Sequence, residues 1–274
     1  MKKNLILIAD YCTDSLAVAE VELAMKRNTK APFSFTSVAS RPFNTIHTGF
    51  LLDQLDRGLN PTEAKQTVFF LNTDPRTHTK EEMPKGDGSP LFLLTLKSGA
   101  VVISPNAGYC LSFIKNRTIK CEELTLDISG TQFRSRDIFP LAVAKALEGD
   151  VPTKWRRNES LESIPDLQKG HYVLHVDNYG NVKTSITRKE LTELGFEFGD
   201  KVIITIEKNK VLVSVLPSIF AGKPGSLVFA PGSSGDPTDP YCELSLRFNG
   251  EVKKSAGSSV NWPEPGAKLQ IVSA

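Results

Sequence analysis

The stretch Leu5-Ile-Leu-Ile-Ala9 limits the fold more than any other. It is an unbroken apolar run stopped by a carboxylate, Asp10. A strand with only one face on the core alternates apolar and polar residues, whereas a strand covered on both faces reads as continuous apolar residues. After the run come Asp10-Tyr-Cys-Thr-Asp-Ser15 and then the helical pattern Leu16–Lys26, with Asp14 or Ser15 as N-cap. Strand, loop and helix in this order put Asp10 and Asp14 at the carboxyl end of a buried strand, where open α/β sheets bind ligands. Capping alone would also account for Asp14. Asp10 has no partner nearby in sequence, and a carboxylate directly after a buried strand needs one.

The pattern continues along the first half. Phe33–Val38 and Thr67–Leu71 read as strands. Between them, a helix runs from Thr45 to about Arg57, capped by Asn44. His47, in its first turn, reads as structural. The loop Asn72-Thr-Asp-Pro-Arg-Thr-His-Thr79 gathers Asp74, Arg76 and His78, either as an acid–base cluster or as a solvated turn. Leu91–Leu96 and Ala100–Ser104 form a hairpin about Ser98-Gly99, followed by the loop Pro105-Asn-Ala-Gly108. Thr131-Gln-Phe-Arg-Ser-Arg-Asp137 precedes a helix over Ile138–Glu148, with Pro140 in its first turn. Asp137 suits that helix start.

Residues 149–170 are polar and read as a linker. Beyond them strand patterns dominate, from His171–Val176 to Lys268–Val272, with one short helix near Arg188–Leu194. The expected fold is an α/β N-terminal domain (1–150) with a mostly parallel central sheet, a linker (151–170) and a small antiparallel β-barrel-like C-terminal domain (171–274). At the entry to that second domain stands Asp177-Asn-Tyr-Gly-Asn181. Its residues suit a β-turn, and they also offer a carboxylate, the flat ring of Tyr179 and the donor–acceptor amide of Asn181. Taken alone, they favour the turn.

Composition narrows the partners. Among 274 residues, 33 Lys+Arg balance 31 Asp+Glu, a net charge of +2, which gives no case for nucleic acid or an anionic membrane. The four cysteines lack C-x-x-C spacing, so neither a zinc nor a redox motif is supported, and they read as free thiols. The apolar run at the start is too short for a signal peptide and no stretch reaches membrane-spanning length, so the expected location is cytoplasmic.

Several marks occur together and in order: Leu7-Ile-Ala-Asp10 with Thr13-Asp14-Ser15, the Asp74 loop, Pro105-Asn-Ala-Gly108, Phe133-Arg-Ser-Arg-Asp-Ile-Phe139 and Asp177-Asn-Tyr-Gly-Asn181. The set resembles the S-adenosylmethionine hydroxide adenosyltransferases, the family that also contains chlorinases and fluorinases, and the resemblance spans nearly the whole chain. It implies S-adenosylmethionine as substrate and water as nucleophile, with adenosine and methionine as products and no metal or cofactor. It implies a trimer with sites between subunits. Asp10 matches the carboxylate that holds the ribose diol, Asp14 and Asp177 match positions near the methionine ammonium, and Tyr179 and Asn181 match the aromatic and amide around adenine. Ser233, in Pro231-Gly-Ser-Ser-Gly235, resembles the loop near the methionine end, with Asp236–Pro240 as an apparent insertion.

Asp74 matches the hydrolytic aspartate. The family's arginine falls at Glu81 and its histidine at Arg134, and Cys12 replaces a glycine. The expected water site is therefore rebuilt from Asp74, His78 and Arg134. The alternatives are a non-catalytic binder of S-adenosylmethionine or adenosine, and transfer to another nucleophile such as halide.

Overall fold

The computed structural model describes residues 2–73, 75, 88–127, 131, 133–251 and 254–274. The chain divides into two compact units, Met1–Leu167 and Gln168–Ala274.

The first unit runs β1 (Lys3–Ala9), α1 (Ser15–Asn28), β2 (Phe33–Ala39), α2 (Thr45–Gly58), α3 (Pro61–Ala64), β3 (Thr67–Asn72), β4 (Leu91–Leu96), β5 (Val101–Pro105), β6 (Thr118–Leu124), α4 (Arg134–Asp137), α5 (Phe139–Glu148) and β7 (Arg156–Asn158). Its sheet has the order β2-β1-β3-β5-β4-β6-β7. The first four strands are mutually parallel. β4 runs against both β5 and β6, and β7 against β6. Five strands thus share one direction, and the sheet is mostly parallel.

Both faces are covered. Leu5, Leu7 and Ala9 of β1 pack with Val21 and Met25 of α1 and Val143 and Leu147 of α5. Ile8 points the other way, into a cluster with Leu52 of α2, Phe69 and Leu71. An interior strand with helices on both sides needs apolar residues at every position, which is why Leu5–Ala9 does not alternate. α5 ends at Gly149, whose φ of +75° forms a left-handed C-cap.

The segment expected to be a linker instead contributes to this unit. β7 pairs with β6, and Ile164 is fully buried in the second core cluster. β6 was not anticipated.

The second unit comprises β8 (His171–Val176), β9 (Val182–Thr187), α6 (Arg188–Glu193), β10 (Lys201–Ile206), β11 (Asn209–Val215), β12 (Leu227–Asp236), β13 (Asp239–Leu246), α7 (Ala256–Ser259) and β14 (Lys268–Ser273). Its strands close a barrel in the order β10-β11-β12-β13-β9-β8-β14. All neighbours are antiparallel except β11 and β12. Alternation is visible along β9, where Val182, Thr184 and Ile186 are buried and the residues between them are less so. Pro231–Gly235 belongs to β12, with a bulge, and Asp236 to Asp239 forms the turn into β13. Among the described residues no helix is long and apolar enough to cross a membrane.

Candidate functional site

In the first unit the chain passes from β1 to β2 on one side and then to β3 on the other. The strand order thus reverses at the carboxyl ends of β1 and β3, the place where doubly wound sheets bind ligands. Asp10 stands at that point. Its Oδ2 accepts from the Phe43 N–H at 3.1 Å, so its partner comes from the loop after β2.

That loop is held from several sides. The Ser40 N–H donates to the Ala9 carbonyl at 3.0 Å. The Arg41 N–H donates to His47 Nδ1 at 2.9 Å, and the His47 N–H donates to Asn44 Oδ1 at 2.9 Å. His47 is buried and performs the structural task expected of it. Phe43 has a φ of +61°, which is strained for a residue with a side chain, and it is 51% exposed. Beneath the loop Thr48 and Thr73 share a hydroxyl hydrogen bond of 2.7 Å, and Ser40 reaches Thr73 at 3.4 Å. All three are buried. This hydroxyl chain was not foreseen, because its members come from three separate elements.

The groups beside Asp10 are protonated at neutral pH. Burial pushes the Tyr11 phenol well above its usual range, and neighbouring Cys12 adds to the shift. Burial also pushes the Cys12 thiol up to about 11, so Cys12 is no nucleophile at neutral pH. Asp14 caps α1, accepting from the Leu16 and Ala17 N–H groups at 2.9 and 3.4 Å. The Asn106 loop is pinned elsewhere: Asn106 Nδ2 donates to the Ser163 carbonyl at 2.8 Å, and the Tyr109 N–H donates to Thr45 Oγ1 at 3.1 Å.

Arg134 opens α4. Its guanidinium carbon lies 5.2 Å over the Phe139 ring, and Nη1 donates to the Ser89 carbonyl at 3.4 Å. Nearby, Asp137 accepts from Arg136 Nε at 2.7 Å and from Thr131 Oγ1 at 2.6 Å. These bonds, the Arg136 one foremost, hold its carboxyl down to about 2. Asp74 and His78, with Arg76, lie outside the described residues.

In the second unit Asp177 follows β8 and closes the turn onto itself. Oδ1 accepts from the Tyr179 N–H at 2.9 Å and the Asn181 N–H at 3.0 Å, and Oδ2 accepts from Asn181 Nδ2 at 3.0 Å. Gly180 has a φ of +78°, and a Cβ there would lie 2.3 Å from Ser255 Oγ. The Gly180 carbonyl accepts from the Gly257 N–H at 2.7 Å. The turn is thereby locked to α7, and Tyr179 projects at its tip, 86% exposed.

Trp262, 54% exposed, also lies against Gly180 and Gly257. Sequence reasoning missed this second aromatic, which no local pattern marks. Ser233, on the β12 bulge, accepts from Lys183 Nζ at 3.4 Å, and Lys183 also pairs with Glu243 at 2.9 Å. Lys183 follows Asn181 closely on β9, so Ser233 and the Asp177 turn share one region of the barrel. Among the described residues no three His, Cys, Asp or Glu side chains converge as metal ligands would.

The chain is similar in fold to two crystal structures. One is an uncharacterized conserved protein from Thermotoga maritima, with TM-score 0.71 and 19% identity, covering 98% of this chain and 100% of that one. The other is a conserved hypothetical protein from Thermus thermophilus, with TM-score 0.67 and 16% identity, covering 99% and 100%. No family model matches the chain, and comparison with curated proteins gives no match.

Proposed function

We propose that the protein binds S-adenosylmethionine and cleaves it at C5′ with water, releasing adenosine and methionine. The observation that carries this reading is Asp10, a half-buried carboxylate at the reversal of a doubly wound sheet, beside a strained loop that exposes the Phe43 ring. A carboxylate accepting two hydroxyls reads a cis-diol through charge-assisted hydrogen bonds. The exposed Tyr179 ring supplies a stacking face for a base. The motif order described above supplies the identity of the ligand. The sulfonium already activates C5′, so holding water in line is most of the catalysis. In this reading Asp74 orients the water, His78 takes its proton and Arg134 supplies fixed positive charge. Asp14, Asp177 and Ser233 face the methionine end. Asp10 and Asp177 belong to different units, which fits a trimer whose sites lie between subunits.

Arg134 favours a second reading. A guanidinium does not act as a base near neutral pH, and here it is already engaged with Phe139 and the Ser89 carbonyl. A binder that has lost its chemistry would look the same. Two measurements decide. Calorimetry with S-adenosylmethionine on the parent and on Asp10→Ala should show a loss of about 3–6 kcal/mol in binding, from two bonds of ~1.5–3 each; equal affinities would overturn the Asp10 assignment. Adenosine release should fall by about 10²–10⁴-fold in His78→Ala and Asp74→Asn. A parent that binds without turnover establishes the binder. Light scattering should give a trimer, and a clean monomer at micromolar concentration removes the shared site.

A further inference from the structure

The seam that closes the barrel between β14 and β8 is short. This strand pairs with β10 along nearly its whole length, from Leu269 against Ile206 to Ser273 against Val202. Against β8 it pairs only at Lys268 and Leu269, opposite Tyr172 and His171. β8 begins at His171, and the residue before it, Gly170, has a φ of +97°. The directions of the exposed backbone groups follow from register. The Ala274 N–H donates to the Lys201 carbonyl and the Glu207 N–H to the Lys268 carbonyl, so even-numbered residues of β14 address β10. Ile271 and Ser273 therefore direct their N–H and C=O groups into the gap, where no backbone partner meets them among the described residues.

The gap is a groove of about 470 Å³ whose walls include Lys169, His171, Leu194, Lys268 and Val272. Leu194 is 43% and Val272 53% exposed. Natural edge strands are usually guarded by charge, proline or a bulge, yet Leu269–Ser273 carries no charge and no proline. Lys169 and Lys268 flank the groove, and neither has a side-chain ion pair among the described residues. The facing titratable groups are His171 and its neighbour Glu190, at 3.5 Å.

We propose that this groove takes an extended acidic peptide segment of a partner protein as an added strand on β14. The main chain would pair with Ile271 and Ser273, an apolar side chain would rest on Leu194 and Val272, and a carboxylate would meet Lys169 and Lys268. Main-chain bonds at an open edge supply affinity, and flanking side chains supply selectivity.

The test uses the full chain and two blocked, fluorescein-labelled octapeptides, one alternating valine with glutamate and the other valine with lysine. The glutamate peptide should bind, with the lysine peptide at least about tenfold weaker. Hydrogen exchange should show the Ile271 and Ser273 amides unprotected in the free protein and protected by the peptide. Ser273→Pro removes an N–H that faces the groove and leaves the bonds to β10 in place, so it should weaken binding about tenfold. If that variant does not fold, Lys169→Glu, at an exposed side chain, should weaken binding similarly. Equal binding of the two peptides, or no protection at millimolar peptide, overturns the proposal. Protection of the same amides that rises with protein concentration alone identifies a second copy as the occupant and also overturns it.

Discussion

Asp10 and Asp177 are both carboxylates placed directly after a strand, and the two units treat them differently. Asp177 accepts from groups within four residues of itself, so its turn is complete on its own. Asp10 reaches across 33 residues to Phe43 and ties a separate loop to the end of β1. A carboxylate used up by its own turn stabilises that turn; one that bridges elements at a sheet reversal also fixes the loop beside it. The structure thus gives Asp177 a local stabilising task, and the proposed reading adds ligand recognition at Asp10, with Tyr179 as what the locked turn presents.

The largest expected effect is at Gly180. Alanine there meets a left-handed backbone, costing about 1–2 kcal/mol, and Ser255 at close range, adding about 1–3 kcal/mol of overpacking. Urea unfolding of Gly180→Ala should show a loss of about 2–5 kcal/mol, and a loss below that range would mean the turn is not locked to α7. Asp177→Ala comes next, at about 1–3 kcal/mol, because two backbone N–H groups and the Asn181 amide lose their acceptor. Asp10→Ala should cost less stability, about 1 kcal/mol, while removing binding. If the two variants exchange these phenotypes, the comparison is inverted.

The smallest effect concerns Cys12. Burial pushes its thiol up to about 11. Its stabilising contribution is therefore complete below the unfolded thiol range, near ~8.5, and declines as pH rises from there through about 11. Cys12→Ser should flatten the alkaline limb of a stability–pH curve. At neutral pH, alkylation of Cys12 should be slow compared with a free thiol; rapid alkylation would place that thiol in a different environment.

The legible parts of the fold have simple causes. Continuous burial marked β1 and β3, and alternation marked β9. β6 escaped notice because Glu122 is buried within it, paired with Lys120 at 2.9 Å and near Arg156 at 3.9 Å. β7 is Arg-Arg-Asn, with no apolar residue to betray it. Among the candidate residues, Asp10, Asp14 and Asp177 were readable because each adjoins a strand or helix end. The Ser40–Thr48–Thr73 chain was not, since hydroxyls so far apart in sequence leave no spacing signal. Trp262 follows Asn261, and both have positive φ; asparagine tolerates that conformation, but nothing in the tryptophan's type marks the corner.

The most direct test is the fate of oxygen. S-adenosylmethionine is incubated with the parent protein in water enriched in heavy oxygen, with and without chloride, and the products are weighed by mass spectrometry. The account predicts adenosine carrying one heavy oxygen and unlabelled methionine, with chloride making no difference. Unchanged S-adenosylmethionine, or a halogenated nucleoside in place of adenosine, would contradict it.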